Sequence, residues 1–198
     1  RKPLEEIVKA IESQARAAYA KREVEYPVDH VLMYLTGGVE EGTIDNPYAA
    51  DALRGWAFMK YRVDLGMEHI RQTPIRRLRD ELISYQEEFL HEGKAEKEVE
   101  QLLAAHGSDT PALLRAFNER FGTTWTQWEM DNRIRANEAF NATLEADDDR
   151  PKKPTTVRDV LMRDARLFFR KELTDLEQFV MIQIFDQSWK DHLYARDM

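Results

Sequence analysis

Apolar residues recur at steps of three and four through most of the chain, which is the spacing of one face of an α-helix. The first such run consists of Leu4, Ile7, Val8, Ile11, Ala15, Ala18 and Tyr19. Pro27 predicts that this helix ends near Tyr26, since the residue before a proline is disfavoured in the helical region. A short helix over 28–35 is expected to follow. The pattern as a whole predicts an all-α fold.

Proline and polar caps mark the starts of the middle helices. Asn46 and Pro47 form a cap and first-turn pair, and Gly66 is expected to end or kink the helix that they open. The predicted buried stripe of that helix is Tyr48, Ala52, Trp56, Met59 and Val63. Thr73 and Pro74 open the next helix, whose predicted stripe is Ile75, Leu78, Leu82, Tyr85 and Phe89.

The end of the chain carries the longest uninterrupted helical pattern. Thr155 or Thr156 caps it, and Asp159 completes an approximate capping box with Thr156. Neither Gly nor Pro occurs in 157–198. One straight helix of that length would run roughly 60 Å, far beyond the radius of gyration of about 16 Å expected for a compact domain of this size. Either the helix breaks near 174–175 or it is a strut that contacts something else.

Composition narrows the classes of function. The 198 residues include 29 Lys and Arg against 37 Asp and Glu, a net charge of -8, which disfavours broad nucleic-acid binding. There is no cysteine, so disulfides, Cys-ligated metals and a thiol nucleophile are excluded. No apolar run approaches a membrane span. The chain begins with Arg1 and stops at Met198 inside a helical pattern, and we expect it to be a segment of a longer protein.

The common catalytic patterns are absent from the sequence. No glycine-rich phosphate loop, His-Glu-x-x-His pair or Gly-x-Ser-x-Gly elbow occurs. We therefore predict no catalytic, cofactor-binding or metal-binding residue in this chain. A small helical enzyme with a carboxylate-histidine site is the least favoured alternative, because the histidines are isolated. They are His30, His69, His91, His106 and His192.

Two residue clusters have an ordinary interpretation and a functional one. Trp125 and Trp128 lie three residues apart beside a predicted loop. Tryptophans on an apolar stripe are usually core residues, and the alternative is a shallow groove. Arg76, Arg77 and Arg79 are expected to form a solvated surface, with a docking patch for an acidic partner as the alternative.

Residues 172–197 read ELTDLEQFVMIQIFDQSWKDHLYARD. This segment resembles the scaffold segment of SecA, the motor ATPase of bacterial preprotein export. That family has an acidic residue, an apolar run, then Asp-x-x-Trp-x-x-His-Leu and a nearby Asp. The matching positions are Glu177, Val180, Gln183, Asp186, Trp189, His192, Leu193 and Asp197. The spacing is unbroken across the segment.

The resemblance implies a division of the chain. Residues 1–146 would be a region like the family's helical wing, longer than usual. Residues 147–154, with two prolines and no apolar residue, would be a linker. Residues 155–198 would form the scaffold helix that leads into the first arm of the family's two-helix finger. The predicted partner and transmission contacts are Glu177, Asp186, Trp189, His192, Leu193 and Asp197.

The resemblance also implies a cellular role. The full-length protein would use ATP and magnesium, which this chain would not hold, to drive export of preproteins. The expected partners are the protein's own nucleotide-binding domains, the SecYEG channel and unfolded preprotein, without nucleic acid. The expected location is the bacterial cytoplasm and, peripherally, the cytoplasmic face of the inner membrane. The alternative is a stand-alone helical adaptor, unrelated to secretion, whose grooves bind amphipathic helices.

Overall fold

The computed structural model describes residues 4–145 and 150–196, and every regular element in those ranges is an α-helix. The predicted all-α fold is therefore confirmed. The helices are α1 (Leu4–Thr36), α2 (Pro47–Tyr61), α3 (Met67–Gln72), α4 (Ile75–Leu90), α5 (Lys94–His106), α6 (Thr110–Phe121), α7 (Gln127–Asn141), α8 (Val157–Phe169) and α9 (Lys171–Arg196).

The chain divides into two compact units. The first, unit 1, comprises Arg1–Gln86 and Arg170–Met198, and the second, unit 2, comprises Glu87–Phe169. The division into wing, linker and scaffold that the resemblance implies stays a prediction about a longer protein. Residues 147–149 of the predicted linker lie outside the described residues.

The core of unit 1 lies where α1 packs against α2 and α9, and where α2 packs against α3. The predicted stripe of α4 is confirmed, since Ile75, Leu78, Leu82 and Phe89 are buried and Tyr85 is partly buried.

The predicted stripe of α2 is wrong. Tyr48 and Met59 are exposed, while the buried residues are Ala49, Ala50, Leu53, Ala57, Lys60 and Tyr61. Small alanines on this face let neighbouring helices approach closely, whereas the sequence pattern gives most weight to large side chains.

The predicted end of the first helix at Tyr26 is also wrong, because α1 continues through Pro27. Proline has no N–H, so the backbone carbonyl of Glu23 loses its usual helical partner. Gln86 replaces that partner by donating its side-chain amide to the Glu23 carbonyl over 3.3 Å. Gln86 is itself buried and accepts a hydrogen bond from the Tyr61 hydroxyl at 2.8 Å. A neighbouring helix thus satisfies the group that the proline would leave unpaired.

The helix α2 ends earlier than Gly66, at Tyr61, because Arg62 adopts a left-handed conformation with φ 59°. The loop that follows is fixed by Asp64. Its carboxylate accepts the Gly66 N–H at 3.0 Å and two hydrogen bonds from the Arg54 guanidinium at 2.6 and 2.7 Å.

The core of unit 2 is rich in phenylalanine. The rings of Phe89 and Phe169 stack with centroids 4.4 Å apart, and Phe121 meets Phe169 edge-on. Around them α5 packs against α6 and α8. The N-termini are capped as the sequence indicates, by Asp109 for α6 and by Thr156 for α8.

The long pattern at the end of the chain is interrupted at Arg170, so it forms α8 and α9 rather than one rod. A break was one of the two expected alternatives, although it falls before the predicted position at 174–175. Phe169 belongs to the aromatic core of unit 2. Arg170 instead forms ion pairs with Glu23 and Glu177 in unit 1. The change of helix thus lies between a residue with aromatic contacts, Phe169, and one with ionic contacts, Arg170.

Candidate interaction surface

The first half of α1 lies antiparallel along α9 in unit 1. Arg170 pairs with Glu23 at 3.4 Å. Two turns further along the chain, Glu177 accepts a hydrogen bond from the hydroxyl of Tyr19, which lies one turn before Glu23 in α1. The Arg170 guanidinium also donates to Glu177 at 2.7 Å and to the Tyr19 hydroxyl. Burial and the hydrogen bond to Glu177 raise the pKa of Tyr19. These polar contacts anchor the start of α9.

Beyond this anchor, α9 exposes large apolar side chains. We call this set the α9 apolar surface; its members are 44–72% exposed, and they are Phe179, Val180, Met181, Ile182, Ile184, Phe185, Trp189 and Tyr194. The adjoining half of α1 adds Leu4, Ile7, Val8 and Ile11, which are 43–77% exposed. Soluble proteins rarely leave a large contiguous apolar area open to water, and such areas mark interaction sites. The α9 apolar surface is therefore the candidate functional site of this chain.

A shallow hollow lies within this surface. Its volume is about 450 Å³, and it is lined by Ile182, Phe185, Asp186 and Trp189. These four residues recur at helical spacing, so they share one side of α9. Asp186 forms an ion pair with Lys190 at 2.6 Å and places a charge at the edge of the hollow. The hollow is open to solvent and can accept an apolar side chain from a partner.

The structure brings together some of the residues that the family resemblance singled out. Asp186 and Trp189 line the hollow, and the Trp189 and His192 rings lie 6.0 Å apart. His192 is exposed and Leu193 is partly buried. Glu177 lies apart from them, at the anchor with Arg170. Asp197 lies outside the described residues, and the role of all six as partner contacts stays a prediction.

A buried charge cluster at the start of α9 was missed by the sequence analysis. The Lys60 side chain is 2% exposed, and its ammonium pairs with the Glu172 carboxylate. Trp56 donates its indole N–H to the same carboxylate over 3.3 Å. Burial lowers the pKa of Lys60, and the negative charge of Glu172 opposes that change. The available sequence signal was the spacing of Leu53, Ala57 and Lys60, which places Lys60 on the same helical face as two apolar residues.

Unit 2 contains a separate groove beside the two clustered tryptophans. Its volume is about 710 Å³, and Trp125 and Trp128 both line it. The alternative of a shallow groove therefore matches the geometry. By contrast, Arg76 and Arg79 are paired with acidic residues of unit 1, Arg76 with Glu41 at 3.0 Å and Arg79 with Asp29 at 2.6 Å. This pairing favours the solvated-surface interpretation of that cluster.

The described residues contain no candidate metal site. Across 4–145 and 150–196, no three His, Asp or Glu side chains converge in a way that could hold a metal ion. His69 lies 2.8 Å from Glu81, whose carboxylate also accepts a hydrogen bond from the Tyr85 hydroxyl at 3.3 Å. Within the same ranges, no helix is both long and apolar enough to cross a lipid bilayer.

Comparison with known proteins gives one distant likeness. The chain is similar to protein translocase subunit SecA 1 of Rhodopirellula baltica, with 24% identity over 200 residues. The match covers 96% of this chain and 15% of that relative's length. No protein-family model and no solved structure matches the chain. The likeness to SecA thus extends well beyond residues 172–197, across nearly the whole sequence.

Proposed function

We propose that this chain is the structural connector of a SecA-type protein-translocation motor, and that the α9 apolar surface docks against other parts of the same motor. The observation that carries this proposal is the position of Asp186 and Trp189. Both belong to the motif that resembles SecA, and both line the exposed hollow on α9. Distant similarity to a SecA protein over 96% of the chain supports the same assignment.

In this proposal the chemistry lies elsewhere in the motor. The longer protein would hydrolyse ATP with magnesium and drive unfolded preproteins through the SecYEG channel, from the bacterial cytoplasm and the cytoplasmic face of the membrane. We place neither the ATP site nor the magnesium site in the present chain, whose sequence contains no phosphate loop. We assign no step of hydrolysis to its residues.

The part that we assign to the chain is mechanical. The helix α9 has 26 residues, or roughly 39 Å of length at the usual helical rise. Its start is fixed to α1 by Arg170 and to α2 by Glu172, while its remaining length exposes apolar side chains. A helix held at one end and docked along its length can carry a rigid-body displacement between two places.

We propose that the remainder of the motor covers the α9 apolar surface. The chain spans about 15% of the length of its SecA relative, so most of that protein is available to cover the surface. Burying a large apolar side chain contributes about 1.5–3 kcal/mol. Covering Phe185 and Trp189 would therefore stabilise the docked state appreciably.

The first experiment is to determine the coding sequence on both sides of the chain and to produce the complete protein. We expect an upstream phosphate loop with the other motor sequences, and a second finger helix downstream. The double variant Phe185→Ser with Trp189→Ser should lower preprotein transport into SecYEG vesicles at least tenfold. The matched control is Tyr34→Ser, because Tyr34 is 82% exposed on α1 outside the α9 apolar surface; it should transport normally.

Two outcomes would contradict the proposal. One is transport at the original rate by the double variant, with its helix content unchanged. The other is tight ATP binding by the 198-residue chain in a calorimetric titration. A coding sequence without motor elements, together with binding of an amphipathic helical peptide to the α9 hollow, would instead support the adaptor alternative.

A further inference from the structure

The groove of unit 2 that is lined by Trp125 and Trp128 is built from four parts of the chain, one of which is α8 with Asp164. The first two turns of α7 supply Trp128, Asn132 and Arg133, the loop before α7 supplies Trp125, and Lys153 lies on the segment before α8. None of these residues belongs to the α9 apolar surface, which lies in unit 1. We call this groove the α7 groove.

The two tryptophans differ in their role within the α7 groove. Trp125 is partly buried and donates its indole N–H to Asp164 at 2.8 Å, so its position is fixed. Trp128 is 72% exposed. A largely exposed indole beside a fixed one provides a flat apolar face on which another ring or a proline can stack.

The acidic residues of the groove accept hydrogen bonds from neighbouring residues of the protein. Glu129 accepts the backbone N–H and the hydroxyl of Thr126, at 2.9 and 2.8 Å, in a capping box that lowers the pKa of its carboxyl. Asp164 accepts hydrogen bonds from Trp125 and Arg163. Both carboxylates that line the groove are thus already engaged within the protein.

The two cations of the groove have no such partners. Among the described residues, neither Arg133 nor Lys153 forms an ion pair; Arg133 lies over the Trp125 ring at 5.8 Å, and Lys153 lies over the Phe140 ring at 3.8 Å. The amide nitrogen of Asn132 also has no acceptor within the described parts of the chain, although its oxygen accepts from Arg135. The groove therefore offers positive charge and a donor, together with an aromatic face.

From this arrangement we propose that the α7 groove binds an extended acidic polypeptide segment. Carboxylates of the segment pair with Arg133 and Lys153, a backbone carbonyl accepts from Asn132, and an aromatic or proline side chain stacks on Trp128. An open groove of about 710 Å³ does not enclose a small ligand, but it suits a chain that continues past both ends. Among the described residues, two cations and two carboxylates line the groove, which is less clustered positive charge than a polynucleotide needs.

The test measures fluorescence anisotropy with the intact 198-residue chain and a labelled peptide of four Asp-Tyr-Pro repeats. Two comparison peptides replace Asp by Asn or by Lys, and an oligothymidylate of twelve nucleotides is the fourth probe. We expect the acidic peptide to bind, and the Asn and Lys peptides to bind at least tenfold more weakly. Binding should weaken as salt rises from low to high concentration, because Arg133 and Lys153 are exposed and screened by ions.

Variants locate the binding within the chain. Trp128→Ala and the pair Arg133→Gln with Lys153→Gln should each weaken binding of the acidic peptide about tenfold or more. Arg115→Gln is the matched control, since Arg115 is exposed on α6 and does not line the groove; it should change nothing. All these residues are exposed, so circular dichroism should report unchanged helix content.

Three results would overturn the proposal. The first is no binding of the acidic peptide, or equal binding of the three peptides. The second is unchanged affinity in Trp128→Ala. The third is tighter binding of the oligothymidylate than of the acidic peptide, which would identify a nucleic-acid site. None of these results depends on whether the α9 apolar surface docks in a translocation motor.

Discussion

The side-chain amide of Gln86 donates a hydrogen bond to the backbone carbonyl of Glu23 over 3.3 Å. This is the carbonyl that Pro27 deprives of its helical donor. One buried glutamine therefore allows α1 to continue as a single helix to Thr36. The same unbroken helix packs against α2 in the core of unit 1 and also pairs with α9.

We expect Gln86→Leu to lower the free energy of unfolding by about 2–3 kcal/mol. The variant removes two buried hydrogen bonds, one to the Glu23 carbonyl and one from the Tyr61 hydroxyl. Urea denaturation followed by circular dichroism measures this change.

Pro27→Ala provides the control for this interpretation. Alanine restores an N–H at position 27 that can bond to the Glu23 carbonyl. In the Pro27→Ala background, Gln86→Leu should therefore cost about 1 kcal/mol less than in the original chain. Equal costs in the two backgrounds would show that Gln86 does not act through the proline.

The buried pair of Lys60 and Glu172 predicts a pH-dependent stability. Glu172→Gln leaves a buried ammonium without its counter-charge, and we expect a loss of about 3 kcal/mol at neutral pH. Without Glu172 the pKa of Lys60 falls further below its ordinary value of 10.5, since the largest effect that opposes burial is then removed. The folded state binds fewer protons than the unfolded state in that range, so stability of the variant rises as pH rises towards 10.5.

The measurement is urea denaturation of both proteins between pH 7 and 10. The deficit of Glu172→Gln should shrink as pH increases. Asp186→Asn is the matched control, because Asp186 pairs with Lys190 at 2.6 Å on an exposed part of the same helix and is not among the charges that shift the pKa of Lys60. Exposed pairs of this kind contribute about 0.5 kcal/mol or less. A deficit that is constant with pH would contradict the assignment of charge to Lys60.

The helical period predicts the elements of this fold better than it predicts their faces and ends. The stripe of α4 is confirmed because its buried residues are large and regularly spaced. The face of α2 was predicted wrongly, since besides Leu53 and Tyr61 it consists of alanines and Lys60. Lys60 pairs with Glu172, more than a hundred positions away in the sequence. The continuation of α1 past Pro27 likewise depends on Gln86, a partner distant in the sequence.

The candidate surfaces show the same limit. The family resemblance singled out Trp189 as a contact residue. The exposure of Phe185 does not follow from the helical period alone, because apolar residues in a helix are usually expected to be buried. Trp125 and Trp128 could be grouped from their spacing, but not ranked by exposure. That difference comes from Asp164, which holds one indole and not the other.

Asp64, in the loop after α2, is expected to titrate at an unusually low pH. Hydrogen bonds from Arg54 and from the Gly66 N–H lower the pKa of Asp64 from 3.8 to about 2. Because this folded-state pKa is depressed, the stabilisation is fully present above 3.8 and is lost as pH falls through about 2. Carbon-detected NMR of the Asp64 carboxyl should therefore give a midpoint near the lower value.

Arg54→Gln should move the Asp64 midpoint upward towards 3.8, with part of the depression retained through Gly66. Arg71→Gln is the control, since Arg71 is an exposed cation of unit 1 that is not among the groups shifting this pKa; it should leave the midpoint unchanged. An ordinary midpoint in the original protein would show that the pair with Arg54 does not persist in solution.

Arg120 lies beside the aromatic core of unit 2, and we expect its replacement by lysine to lower stability. The Arg120 guanidinium lies 4.8 Å from the Phe121 ring centroid and 5.7 Å from that of Phe169, and it donates to Glu98 at 2.7 Å. Its planar group can contact the rings and the carboxylate at once, whereas an ammonium is compact and strongly hydrated. We expect Arg120→Lys to lower the free energy of unfolding by about 1–2 kcal/mol in urea denaturation. Arg115→Lys, at an exposed position of the same helix, should change it by less than about 0.5 kcal/mol. Equal stability of the two variants would mean that charge alone, and not the shape of the guanidinium, stabilises this cluster.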